Sequence, residues 1–245
     1  MSGARRNRIL SVIHMLTEFL ENDEDEYEEY ERSASAKIKG VEKGKVRTIL
    51  FIENDIIQKL YDKFMKEERY RDATLLAILY ESGCRRNEIC QVRRDSITQE
   101  GNATNEVTGK RGKKFKVLYF SHTKEAFKKY EETRTDNCEM LFTMKDDEPA
   151  DGPALYRWVS AWIKDLEEID PDRDYDALNV HSFRHCFIES LCRGTHWICK
   201  EMKLGKVPIE KVKVLAHHSD ISVTDSYRDN NEERDIEELF GFKLS

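Results

Sequence analysis

Apolar residues recur along this chain mostly at helical spacing. Ile9, Leu10, Ile13, Leu16 and Leu20 fall one, three and four apart, which predicts a helix over 7–21 running directly into acidic sequence. From Glu21 to Lys45 the chain is charged, then small and polar through Ser33, Ala34, Ser35, Gly40 and Gly44. That is the composition of a solvated linker, so a domain boundary is expected near residue 45. Asn54 or Asp55 is suited to cap a helix whose apolar face is Ile57, Leu60, Tyr61, Phe64 and Met65. The next helix, Tyr70 to Ser82, is apolar almost all round and belongs at the centre of the fold; Gly83 can take the left-handed conformation that ends it.

Two short runs, Glu106 to Gly109 and Phe115 to His122, flank Lys110, Arg111, Gly112, Lys113 and Lys114 and predict a β-hairpin with a basic turn. Helices are then expected over Thr123–Arg134, Pro153–Glu168, His181–Arg193, Pro208–His217 and Ser222–Asp229, with a short one from Glu232. The predicted class is mainly α with a small antiparallel β-sheet (α+β). The acidic stretch from Asp146 to Asp176 reads as solvated loop and helix surface.

Composition narrows the picture. Of the 245 residues 39% are apolar and 36% charged, against roughly 25% charged in an average domain, so a water-soluble protein is expected. The longest aliphatic run, Leu75 to Leu79, is far short of the ~20 residues that span a bilayer. No apolar segment follows Arg5, Arg6 and Arg8 in the manner of a secretory signal, and an intracellular location, cytoplasm or nucleoid, is expected. Cys84, Cys90, Cys138, Cys186, Cys192 and Cys199 form no C-x-x-C pair and read as reduced, mostly buried thiols. The net charge of −7 is segregated. Nine acidic and no basic residues lie between Glu18 and Glu31, whereas Thr108 to Tyr130 holds eight Lys or Arg and one Glu, and Arg193 to Lys213 six against two. A phosphate backbone responds to such local positive surface rather than to the average.

Three segments carry candidate chemistry. Gly83, Cys84, Arg85, Arg86, Asn87 and Glu88 deliver an Arg where a buried helix ends, with a Glu three residues on. His181 and Arg184 share one face at the start of a helix that buries Phe183, Phe187, Ile188 and Leu191. Ile209, Val212 and Leu215 then lead to His217 and His218, with Tyr227 nine residues after His218. Taken singly, each has an ordinary reading: an i,i+3 ion pair, a zinc-like His181/His185 spacing lacking a third ligand, a half-buried Tyr.

Together, the G-x-R-x-x-E segment, the hairpin Lys, the H-x-x-R segment and the His before a Tyr resemble, in order, the catalytic domain of the tyrosine recombinase (phage integrase) family, over residues 46 to 240. The resemblance implies that Arg85 and Arg184 grip the scissile phosphate, Glu88 supports them, Tyr227 is the nucleophile, His181 a base and Lys110 the general acid. Lys113 and Lys114 compete with Lys110, and His217 with His218. Arg86, Lys113 and Lys114 are candidate DNA contacts. No cofactor, ATP or metal is implied. The expected partner is double-stranded DNA, bound by a DNA-dependent homo-oligomer, a tetramer around two sites, in which residues 232–245 dock on a neighbouring subunit; no membrane is involved. Residues 1–45 stand where the family has a larger DNA-clamping domain, and the acidic block there is placed to repel phosphate from the site. The competing readings are a DNA-binding regulator with this fold but no strand transfer, and a type IB topoisomerase.

Overall fold

The computed structural model describes residues 3–22, 50–109, 112–144 and 147–216, without the side chains of 4 and 17–22. The chain divides into two units, Met1–Thr48 and Ile49–Ser245. In the first, α1 (Gly3–Asn22) begins earlier than the periodicity predicts, and its Ile9, Val12, Ile13 and Leu16 stand exposed. The predicted linker lies outside the described residues, as do the predicted helices at Ser222–Asp229 and from Glu232.

In the second unit α3 (Tyr70–Ser82) is the axis. Eleven of its thirteen residues are buried, and it is packed by α2 (Asn54–Lys66), α5 (Ser121–Thr133) and α8 (Val180–Arg193). Gly83 ends it at φ 59°, ψ 19°, with its N–H bonded to the Leu79 carbonyl. Neither Asn54 nor Asp55 caps α2. The helix starts behind Glu53, and the Asn54 amide is taken into the core, 3.0 Å from the Tyr80 hydroxyl. The N-terminus of α5 is satisfied from α3: the buried Glu81 carboxylate accepts from the amides of Phe120 (2.7 Å), His122 (3.1 Å) and Thr123 (3.4 Å).

The two-stranded antiparallel sheet comprises β1 (Ala103–Thr108) and β2 (Lys114–Leu118), with Thr108 opposite Lys114 and an irregular register between Ala103 and Glu106. The second strand ends short of the predicted His122 because α5 begins at Ser121. A single helix over Pro153–Glu168 is also corrected: α6 (Gly152–Ala161) and α7 (Ile163–Ile169) break at Trp162. There a fully buried indole accompanies a tightened turn in which the Trp162 amide bonds back to Val159. Nor is the acidic stretch all solvated, since Asp165 is buried and takes Arg69 Nη1 on both oxygens, at 2.9 and 3.0 Å. Three short elements escaped prediction: α4 (Arg86–Ile89), a 3-10 turn at Arg94–Ser96, and α9 (Trp197–Glu201). The predicted Pro208–His217 helix is α10 (Ile209–Leu215) within the described residues. A second apolar cluster of Phe187, Ile188, Leu191, Ile198, Val212 and Ala216 joins α8, α9 and α10. The six cysteines are free, four of them buried and Cys90 and Cys192 half-buried. Among the described residues no helix is long and apolar enough to cross a membrane.

Candidate active site

The turn that ends α3 builds the site. Beyond Gly83 the backbone extends to Arg85 (φ −85°, ψ 154°), the residue before α4. Glu88, one turn on and buried, folds back over it: Oε2 accepts the Arg85 amide at 2.6 Å and Oε1 accepts Nη1 at 3.0 Å. The carboxylate therefore fixes both the backbone and the guanidinium of Arg85, which keeps 31% of its side chain exposed. Gly83 is required twice over. Its φ is left-handed, and a Cβ there would lie 2.3 Å from Phe187 Cδ1.

Arg184 comes from α8 and is 2% exposed. Its Nη1 donates to the Gly83 carbonyl at 2.6 Å and its Nη2 to the Ala216 carbonyl. One guanidinium thus ties the Arg85 turn, α8 and the end of α10 together. The capping residue Asn179 orients the first turn of α8 by accepting the His181 amide at 2.9 Å. His181 reaches solvent, yet its imidazole is held below the usual 6.5, first by desolvation and then by Arg184 and Arg85. His185, edge-on at 4.6 Å between ring centroids, is pushed down to about 4 by burial, then by His181 and Arg184. Burial raises the Cys84 thiol to about 12, which leaves it protonated and un-nucleophilic.

The hairpin reaches the same place. The Gly109 amide donates to the Lys113 carbonyl at 2.8 Å, and a Cβ on Gly109 would lie 3.0 Å from Glu88 Oε1. The residue preceding Lys110 therefore touches the Arg85–Glu88 pair. Arg85, Glu88, Arg184 and His181 are thus brought together. Lys110, His217, His218 and Tyr227 lie outside the described residues. Arg86, Lys113 and Lys114 are exposed; Arg86 turns toward Gly152 at the start of α6, and Lys114 pairs with Glu106 at 3.4 Å. Among the described residues no three His, Cys, Asp or Glu converge as a metal set. Two residues that the motifs do not mark, Gln91 and Asn105, join the hairpin to the Arg85 turn, and such side-chain bonds to distant backbone leave no periodic trace. Near the site lies an apolar cavity of about 510 Å³, lined by Phe187, Leu191, Ile198, Met202, Leu204 and Val214 among others.

A buried α3, a left-handed glycine that presents an Arg, and a second Arg returning from α8 define the catalytic-domain fold of the tyrosine recombinases. Residues 51–234 match the Phage integrase family model, and the chain belongs to that family. Solved structures share the fold at low identity. The XerA recombinase is 16% identical, with a TM-score of 0.56 over 73% of this chain and 59% of that one. The XerH site-specific recombinase in a post-cleavage complex with its palindromic difH substrate is 19% identical, with a TM-score of 0.58 over 87% and 56%. A fragment of lambda integrase, as a dimer bound to a COC′ core site, is 15% identical, with a TM-score of 0.57 over 93% and 80%. The chain spans less than two thirds of the length of the XerA and XerH chains it matches.

Proposed function

We propose that this protein is a site-specific DNA recombinase or integrase that cleaves and rejoins strands of double-stranded DNA through a 3′-phosphotyrosyl intermediate. The observation that carries the reading is the meeting of Arg85 and Arg184 at the Gly83 turn, where both cations bear on His181. In-line attack on a phosphodiester builds negative charge on the non-bridging oxygens, and fixed guanidinium donors stabilise that charge more than the ground state. The Tyr227 oxygen forms its bond to phosphorus as the bond to the 5′ oxygen breaks. The phenolic proton passes to His181, which desolvation first and then its cationic neighbours keep neutral and able to accept it. Lys110 protonates the departing 5′ oxygen, and His218, or His217 in its place, adds an imidazole donor to the phosphate. Running the steps backward onto a different 5′ hydroxyl joins the strands without ATP or metal.

Arg86, Lys113 and Lys114 supply backbone contacts to the duplex, and assembly on DNA is a homotetramer around two sites. The C-terminal segment 232–245, with Ile236, Leu239, Phe240 and Phe242, docks on a neighbouring subunit, for which the apolar cavity beside α10 is a receptor of matching character. The test is covalent capture from a random duplex library nicked to trap intermediates, followed by denaturing electrophoresis. A protein–DNA adduct formed by the wild type and absent in Tyr227→Phe supports the reading. Binding with no adduct makes the protein a regulator, and relaxation of supercoils without strand exchange makes it a topoisomerase.

A further inference from the structure

We infer that Gln91 is a positioning residue that seats the hairpin carrying Lys110 against the Arg85–Glu88 turn; the inference rests on Lys110 being the leaving-group acid. In an antiparallel pair, the N–H and C=O of alternate residues point away from the partner strand. Because the Gly109 amide is bonded across the hairpin to Lys113, the flanking Thr108 peptide groups point outward. The Gln91 amide meets both of them. Its Oε1 accepts the Thr108 N–H at 2.9 Å, and its Nε2 donates to the Thr108 carbonyl at 3.0 Å. One side chain thus pairs with the strand edge as a third strand would. The same Nε2 donates to the Asn87 carbonyl at 2.7 Å, inside the α4 turn between Arg85 and Glu88.

A second staple fixes the rest of the arm. Asn105 Nδ2 donates to the Gln91 carbonyl at 3.0 Å, and its Oδ1 accepts the Arg93 amide at 2.8 Å. The irregular register between Ala103 and Glu106 marks the stretch of strand that contains Asn105. The pair Gln91 and Asn105 therefore holds β1 to the segment 87–93, and Gln91 acts only two residues before Lys110. An acid must stay within hydrogen-bond reach of the oxygen it protonates, so the seating of this arm sets the proton transfer and not the grip on phosphate. Gln91 touches neither Arg85 nor Arg184 through any of these bonds.

Two measurements test the inference. In the free protein, amide hydrogen exchange of Gln91→Ala should rise across peptides covering 104–114 while α3 stays protected; unchanged exchange in that segment overturns it. The second compares cleavage of a captured duplex carrying its natural 5′ bridging oxygen with one carrying sulfur there. A thiol ionises near ~8.5, far below an alcohol, and departs without an acid. Gln91→Ala should slow the oxygen substrate by roughly 10- to 100-fold, the cost of displacing a catalytic group by about an ångström, and recover most of that on sulfur. An equal loss on both substrates, or no loss, overturns the inference. Lys110→Ala is the control for the underlying reading. If it too shows no sulfur recovery, or the wild type forms no adduct at all, Lys110 is not the acid, and the positioning role falls with it.

Discussion

Replacing Gly83 with Ala attacks the turn at the heart of the site in two separable ways. The backbone stands at φ 59°, where a Cβ costs about 1–2 kcal/mol. The new methyl would also sit 2.3, 2.7 and 3.0 Å from Cδ1, Cγ and Cε1 of Phe187, a ring that is 2% exposed and has little room to yield. Overpacking of this kind costs about 1–3 kcal/mol, so the total is about 2–5 kcal/mol. For a domain of this size that lowers Tm by about 5–15 °C. Urea unfolding of wild type, Gly83→Ala, Phe187→Ala and the double variant separates the two contributions. With Ala at 187 the Cγ, Cδ1 and Cε1 atoms that make the clash are gone and the backbone penalty remains, so Gly83→Ala should cost only about 1–2 kcal/mol in that background. A cost below about 0.5 kcal/mol in the wild-type background, or the same cost in both backgrounds, refutes the account.

Arg184→Lys cannot hold the Gly83 and Ala216 carbonyls at once, and the loss of one charged hydrogen bond should cost about 1.5–3 kcal/mol in urea unfolding; unchanged stability would show the clamp to be idle. His196 is fully buried, with Nε2 2.9 Å from the Tyr80 carbonyl and Nδ1 accepting the Ile198 amide, and burial lowers it to about 3. Both states are neutral above 6.5; below that the unfolded chain binds the proton the fold refuses, so stability falls as pH drops, by about 2–3 kcal/mol at pH 4.5. His196→Gln should lessen that fall in urea titrations, and parallel curves would assign the acid sensitivity elsewhere. Asp165→Asn removes the carboxylate that both oxygens present to Arg69 and should cost about 1–3 kcal/mol; a melting temperature equal to wild type would make the pair neutral.

The α3 segment was legible because an all-apolar helix can only be central and because glycine is the residue that a left-handed end requires. The α8 phase was legible for a similar reason: Phe183, Phe187, Ile188 and Leu191 leave His181 and Arg184 one face to occupy. Periodicity fails where tertiary contact overrides it. Trp162 breaks a continuous helical pattern because its indole is drawn into the core, and Asn54, a natural cap by type, is used inside instead. The short α9 carries too few residues for a period to register. Of the site, the motifs marked which side chains to watch. They did not mark that Arg184 is bonded to two carbonyls, or that an amide at 91 serves a peptide at 108, because bonds from side chains to distant backbone have no sequence spacing.

The paired staples at Gln91 and Asn105 fasten the arm of the hairpin up to Thr108, and its cap is the sequence between Gly109 and Lys113. Residues inserted after Gly109 would lengthen the cap and leave every bond of the arm in register. A single residue inserted between Asn105 and Thr108 would turn the outward peptide inward and unfasten it. Relatives of this chain should therefore differ in hairpin length almost wholly beyond Gly109, and that junction is the place to graft a foreign tip.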